Sequence, residues 1–404
     1  MRYWDAVFAF FVAMAISAVL TPLAARLARR LGVVELPSER GLAERITPLL
    51  GGLAILAAVV AAIAIWVPAT IHLPKPPHSG HQSKPVVHTW AIVAGACVIT
   101  LVGAIDDWRS LRPQWKLAGQ IIAAIIAVEG GVVVYDVTLP FVGALQFPHT
   151  GGVLSAIWLV GLMNVVNFSD GVDGLAAGLT TIDGVAFAII AFSFHAYDSA
   201  AWMAALTAGA ALGFLFHNFH PARVFMGDSG ANLLGYMLGV VAIIGSVKTN
   251  AVVALVVPLI ILAVPFLDTS FVVAKRLKYR RKPWLADANH FHHRMARIGF
   301  SQRKTVAHLY AWTALMAGLA VALRFVPYHH HKPSYYEWGW VAVLAVLGLA
   351  ALAASFYLVY VLEILKFRHL RSFQLRRADP DTSEHEVQEQ VRREFETGEF
   401  DRVR

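Results

Sequence analysis

"VLSAIWLVGLMNVVNFSDGVDGLAAGLTTIDGVAFAIIAFSF", residues 153–194, is two apolar runs interrupted by a short polar row. Each run approaches the length with which an α-helix crosses a bilayer core of about 30 Å. In lipid only helices and closed barrels satisfy every backbone polar group, and nothing here alternates with the period of two that a strand requires. The stretch therefore predicts two membrane helices with a hinge between them. In and beside that hinge, Asn164, Asn167, Asp170 and Asp173 recur every third residue, followed by or mixed with Gly171 and Gly174.

The same pattern repeats along the chain. Eleven spans are expected, at about 4–24, 51–70, 89–105, 116–134, 153–168, 175–194, 200–216, 229–247, 250–274, 306–326 and 338–365. A composition of 57% hydrophobic and 15% charged residues is far from a soluble globular balance. The fold class predicted is an all-α integral membrane protein, a polytopic bundle of about 11 helices. Residues 1–365 form its membrane domain and 366–404 a charged tail with nine basic and nine acidic residues. The first span lacks a basic leader and a small-residue cleavage site, so it is expected to be retained. One cysteine, Cys97, excludes an intrachain disulfide, and no 20–50-residue repeat points to a solenoid.

Charge sets the orientation. With the N-terminus outside, the inside segments are 25–50, 106–116, 217–228, 275–305 and the tail, and they hold 28 of the 34 Lys and Arg residues. The positive-inside rule then places the C-terminus in the cytoplasm. The net charge of +8 suits anionic lipid or an anionic substrate and needs no nucleic acid. The polar stretches 103–116, 167–174, 217–230 and 286–294 all fall on that cytoplasmic side. Outside, the His-bearing segments 72–88 and 328–331 match no metal-ligand spacing and read as solvated loops.

The chemistry of these stretches is distinctive. Asp106 and Asp107 close the third span, where a carboxylate opposes the helix dipole. Holding a divalent cation or accepting a proton explains the pair better than a polar turn does. Pro113 opens the next helix, and Lys116, one turn in, can neutralise phosphate. In the opening row, a continuous helix would turn its first and last polar groups to opposite faces. Gly171 and Gly174 supply the break that lets them converge, and a helix from Leu175 aims its N-terminus at the same place. The plain alternative is that Asp173 caps the sixth span. Asp228 in "FMGDSG" is equally a helix cap or a ligand, and Phe225 is core packing or a stacking surface for a base.

Within 275–305, ten basic residues surround "HFHHR", with His290, His292, His293 and Arg294. Without cysteine or a fourth ligand, contact with phosphates or a sugar fits better than zinc. Asp268, in a span with Pro258 and Pro265, is an acidic residue at the bilayer edge and a further candidate. Hard oxygen ligands together with phosphate-binding cations favour Mg²⁺, with Mn²⁺ as the alternative, and phosphoryl transfer. A secondary transporter is the rival class, but its site would sit near the midplane with repeat symmetry.

The motifs "ITPLLGG" (46–52), "DDWRSLRPQWKLAGQ" (106–120), "NVVNFSDGVDGLAAG" (164–178), "HNFHPARVFMGDSGANLLG" (217–235), "PFLDTSFVVAKR" (265–276) and "HFHHRMARIG" (290–299) stand in this order. The set resembles the polyprenyl-phosphate N-acetylhexosamine-1-phosphate transferase family, in its bacterial branch using UDP-GlcNAc. The branch using a UDP-muramoyl-pentapeptide is the nearer rival. The resemblance implies transfer of GlcNAc-1-phosphate from UDP-GlcNAc to undecaprenyl or decaprenyl phosphate in the bacterial plasma membrane, releasing UMP. It also implies Asp228, with Asp173 and Asp107, as metal ligands. By the same resemblance Asp106 and Asp107 act on the lipid phosphate, and Asp170, Asp173 and Asn167 on the nucleotide. Asn218 and Phe225 fall on the uracil side. Asn164, Lys116, His290, His292, His293 and Arg294 hold substrate, with His292 among the catalytic groups. Attack by the lipid phosphate and a two-step route through an aspartyl-phosphate both stay open, and a homodimer is among the expected assemblies. Two departures, Glu35 for an expected Asp and "ERITP" (44–48) without an expected His or Lys, lie outside the acidic core. They leave Arg45 as a further candidate.

Overall fold

The computed structural model describes residues 2–36, 46–73, 85–139, 143–147, 149–193, 198–245, 301–326, 329–331, 334–356, 372, 375 and 383–397. The chain divides into two units, one of Met1–Phe266 with Leu309–Val326 and the other of Leu267–His308 with Pro327–Arg404.

The described helices of the first unit are α1 (Arg2–Leu31), α2 (Gly51–Trp66), α3 (Thr89–Arg109), α4 (Pro113–Glu129), α5 (Gly151–Ser169), α6 (Leu175–Phe192), α7 (Asp198–Asn218) and α8 (Gly227–Gly245). Most of α9 (Gln302–Phe325) also belongs to it. The second unit contains α10 (Trp338–Phe356) and α11 (Glu384–Thr397). Among the described residues, eight helices are long and apolar enough to cross a membrane, and the protein is an all-α integral membrane protein. The described part of each expected span lies largely on a helix; 250–274 and 357–365 lie outside the described residues.

The helix ends differ from the hydropathy boundaries for physical reasons. α1 runs for 30 residues, about 45 Å, because Arg26, Arg29 and Arg30 extend its last turns beyond the apolar run without breaking the helix. α2 and α4, at 16 and 17 residues, are shorter than a full span. The connections also hold structure that hydropathy misses. β1 (Val34–Glu35) pairs with β2 (Thr47–Pro48), and β3 (Thr70–His72) with β4 (Val86–His88). β5 (Asp136–Leu139) pairs with β6 (Gly143–Gln146), and β7 (His329–His331) with β8 (Ser334–Tyr336). The histidine segments expected as plain loops are thus partly antiparallel ladders.

α8 is the axis of the first unit. It packs against α2, α3, α5, α6 and α7, and every residue from Ser229 to Ile244 is buried. Beyond Asn232 its sequence is almost wholly apolar, as a helix buried on every side requires. Small residues let its neighbours come close: a Cβ on Gly52 of α2 would strike Gly230, one on Gly103 of α3 would strike Ser229, and one on Gly235 would strike the α5 backbone at Leu162. By contrast α1, α3, α4 and α5 present Phe8, Phe11, Leu101, Ile105, Ile121, Ile122, Val153 and Ile157 outward, an apolar surface suited to lipid. The close approaches to Gly52, Gly103 and Ser229 all fall at the N-terminal end of α8, which is where the polar groups gather.

Candidate active site

α8 begins at Gly227, with φ +66°, a left-handed conformation that glycine adopts without strain. A side chain there would also collide with the carboxylate of Asp107. That carboxylate, at the end of α3, accepts the Asp228 N–H at 2.7 Å on Oδ1 and the Ser229 N–H at 3.2 Å on Oδ2. Asp107 therefore caps the first turn of α8 from another helix. Its charge opposes its own helix dipole but complements the positive end of α8. Asp228, expected equally as a cap or a ligand, sits inside the first turn with its carboxylate facing elsewhere.

It faces Lys116 and Asn167. Asn167 Nδ2 donates to Asp228 Oδ1 at 2.6 Å, and the Lys116 ammonium bonds Asp228 Oδ2. The same ammonium lies 3.3 Å from Asp106 Oδ2 and 3.3 Å from Asn167 Oδ1. The other oxygen of Asp106 accepts the Leu111 N–H at 2.5 Å, which fixes the turn between α3 and α4. Ser110 in that turn is left-handed, at φ 45°. So α3, α4, α5 and α8 each deliver a polar end to one point, and a cation already stands there among three oxygen-bearing side chains.

One helical turn deeper lies a second set, of which the sequence singled out Asn164 but neither Gln120 nor Asn232. Gln120 follows Lys116 by four residues, Asn232 follows Asp228 by four, and Asn164 precedes Asn167 by three. Asn164 Nδ2 donates to Gln120 Oε1 at 2.8 Å, and Gln120 Nε2 to Asn232 Oδ1 at 2.8 Å. Asn232 Nδ2 returns to the Asp228 carbonyl at 2.7 Å. Gln120 and Asn232 are each 1% exposed. Uncharged amides inside apolar helices were the available signal.

The opening row thus divides. α5 ends at Ser169, so Asn164 and Asn167 face α4 and α8 while Asp170 and Asp173 lie beyond the helix. Burial pushes the Asp170 carboxyl well above the usual carboxylate range, and the charges of Asp228, Asp107, Asp173 and Glu35 push the same way. Glu35, read from sequence as outside the acidic core, is therefore within electrostatic reach of it. Asp173 does not cap α6: its Oδ2 accepts the Ala222 N–H at 3.0 Å and lies 2.9 Å from the His220 ring. Gly174 holds the N-cap position at φ 79°. Its N–H donates to Asn218 Oδ1 at 2.9 Å, and its carbonyl accepts the Tyr310 hydroxyl at 2.5 Å.

Asn218 is 2% exposed, and its Nδ2 donates to the Val224 carbonyl at 3.0 Å. Both ends of its amide are used inside the fold. The Phe225 N–H donates to the Pro48 carbonyl, and the Phe225 carbonyl accepts the Gly51 N–H. Arg45, Asp268, His290, His292, His293 and Arg294 lie outside the described residues.

Among the described residues no three His, Cys, Asp or Glu side chains form a metal cage. Asp107, Asp173 and Asp228, expected as one ligand set, are each engaged with different partners. The donor set still fits Mg²⁺, which is commonly held by one or two carboxylates with substrate phosphates completing its shell. The Lys116 ammonium beside Asp106, Asp228 and Asn167 marks where a cation is stabilised.

Apolar helices thus surround one half-buried, charged cluster at the N-terminus of a central helix. The chain belongs to glycosyl transferase family 4: the profile so described matches residues 89–246, and long, well-covered relatives agree. It is 33% identical over 324 residues to the probable undecaprenyl-phosphate N-acetylglucosaminyl 1-phosphate transferase of Bacillus subtilis, covering 79% of this chain and 85% of that protein. It is 36% identical over 323 residues to the decaprenyl-phosphate N-acetylglucosaminephosphotransferase of Mycolicibacterium smegmatis, covering 74% and 78%. To the phospho-N-acetylmuramoyl-pentapeptide-transferase of Heliobacterium modesticaldum it is 31% identical over 344 residues, covering 78% and 97%. The protein is thus a membrane transferase.

Proposed function

We propose that this transferase moves GlcNAc-1-phosphate from UDP-GlcNAc to a polyprenyl phosphate, giving polyprenyl-diphosphate-GlcNAc and UMP. The observation that carries the reading is the meeting of Lys116, Asp106, Asn167 and Asp228 at the α8 N-terminus. The names of the B. subtilis and M. smegmatis relatives favour GlcNAc over a muramoyl-pentapeptide. The Lys and Arg distribution supports eleven spans with the N-terminus outside, which puts this site on the cytoplasmic face of a bacterial plasma membrane, where nucleotide sugars are made.

In this reading the chain's own groups position and neutralise. Asp107 is committed to α8 and keeps Asp228 aimed at the diphosphate. Asp106, whose Oδ2 faces the ammonium, accepts the proton of the lipid phosphate so that an oxygen anion is presented. That oxygen attacks the β-phosphorus in line; the new P–O bond forms as the bond to UMP breaks, and the uridine monophosphate leaves with the electron pair. Lys116 transfers its contact from Asp228 to the phosphate oxygens. Mg²⁺ held at Asp228 would supply neutralisation of the diphosphate charge. Asp170, at the rim of the same ring, faces the nucleotide side.

The test is purified protein with polyprenyl phosphate, Mg²⁺ and either UDP-GlcNAc or UDP-muramoyl-pentapeptide. UMP release from UDP-GlcNAc is expected. Release from the pentapeptide donor alone would assign the other branch.

A further inference from the structure

The charged groups at the mouth of the site explain binding and charge neutralisation. They do not explain why three separate helices hold Lys116, Asn167 and Asp228 in register. We propose that Gln120 and Asn232, together with Asn164, are positioning residues: a buried amide rung, one turn below the charged one, that sets the axial register of α4 against α5 and α8.

The two rungs correspond residue by residue. α4 supplies Lys116 above and Gln120 below, α8 supplies Asp228 and Asn232, and α5 supplies Asn167 and Asn164. On an α-helix residues three or four apart stand on one face, about 5.4 Å apart along the axis. Each rung joins all three helices through side chains alone. The lower rung is closed at both ends, since Asn164 also donates to the Val160 carbonyl at 2.8 Å and Asn232 to the Asp228 carbonyl at 2.7 Å. Both Gln120 heteroatoms are engaged. An amide accepts on one side and donates on the other, so the chain Asn164, Gln120, Asn232 runs in one direction only. A slide of α4 along α8 breaks both Gln120 contacts at once.

Stability is a poor account of this rung. Hydrogen bonds between helices in lipid are weak, because the separated helices find other partners, while apolar side chains would fill the same space. Directional contacts set geometry better than they set stability. The groups they register are those whose placement governs phosphoryl transfer, and a misplacement of about 1 Å there lowers turnover about 100-fold. No ligand atom needs to touch Gln120 or Asn232, which act through Lys116 and Asp228. The inference rests on the reading of the upper rung as the reaction's site.

The test combines a structural and a kinetic measurement on the full chain. In a Cys97→Ser background, spin labels placed through Trp115→Cys on α4 and Ile157→Cys on α5, both exposed positions, report the register by pulsed electron resonance. Gln120→Met should shift or broaden that distance by about 1 Å or more. In the unlabelled protein the same substitution should lower kcat about 10- to 100-fold while leaving KM for UDP-GlcNAc within about twofold. The triple variant Gln120→Met, Asn164→Leu, Asn232→Leu leaves no orphaned amide and should melt like the wild type yet stay slow. It also serves if Gln120→Met alone misfolds. An unchanged distance overturns the inference, as does full kcat in Gln120→Met or recovery of kcat in the triple variant. Should the wild type release no UMP from either donor, the functional reading fails, and the distance measurement alone decides the rung.

Discussion

Lys116→Met should make the resting protein bind a divalent cation more tightly while nearly abolishing turnover. The ammonium lies 3.3 Å from Asp106 Oδ2 and bonds Asp228, so it already fills the place where a metal would be stabilised. At an effective dielectric of about 20, one contact at that distance amounts to about 5 kcal/mol before solvation and side-chain entropy are subtracted. The three side chains are 21%, 13% and 27% exposed, enough for solvent to screen much of this. About 1–2 kcal/mol per contact survives such screening. A metal entering the wild type must displace that interaction, so its removal should tighten Mn²⁺ binding by about 10-fold. Turnover should fall by about 100-fold or more, because the group that follows the phosphate is gone. Mn²⁺ titration followed by electron resonance, without nucleotide, measures the first effect and UMP release the second. Equal or weaker Mn²⁺ binding by the variant would refute the claim that Lys116 holds the cation's place.

Asp107→Asn should lose one of two charge-assisted bonds to the α8 N-terminus, destabilising by about 1.5–3 kcal/mol and lowering Tm in detergent as well as activity. Asp107→Glu should not restore either, since a longer side chain meets Gly227. Asn218→Ala should destabilise by about 1–3 kcal/mol through two lost buried bonds, lowering Tm, but leave KM for the UDP-sugar unchanged; a large KM rise would put Asn218 on the uracil side. For Asp170 the folded carboxyl is raised above its unfolded value by burial. Folding then favours the protonated form, and stability declines as pH rises from about 4 toward the raised value. Asp170→Asn should flatten that decline in Tm measured across pH, and an unchanged slope would show that Asp170 is not the group responsible.

Hydropathy located the spans because a run of about twenty apolar residues has one stable environment whatever its neighbours are. It misplaced helix ends where charge extends a helix past the lipid, as at Arg29 and Arg30 of α1. It also missed the short ladders, such as that of β3 with β4. The acidic motifs were legible as a set, but their partners were not. Asp107 and Asp228 are 121 residues apart, and no local pattern says that one caps the other's helix. The every-third-residue row misled in one respect: the helix end at Ser169 sends Asp173 to Ala222 and His220 and leaves Asn167 on Asp228. Gln120 and Asn232 stood inside quoted motifs four residues from singled-out neighbours. Their importance depends on which helix face meets α8, and that is a tertiary fact.

The central claim is that a sugar leaves with its phosphate attached. UDP-GlcNAc carrying one label in the sugar, another on the β-phosphorus and a third in uridine distinguishes this from transfer of the sugar alone. With polyprenyl phosphate and the purified protein, the sugar and β-phosphorus labels should enter the organic phase in equal amounts while uridine stays in water as UMP. Sugar label extracted without the β-phosphorus, with UDP left behind, would contradict the account.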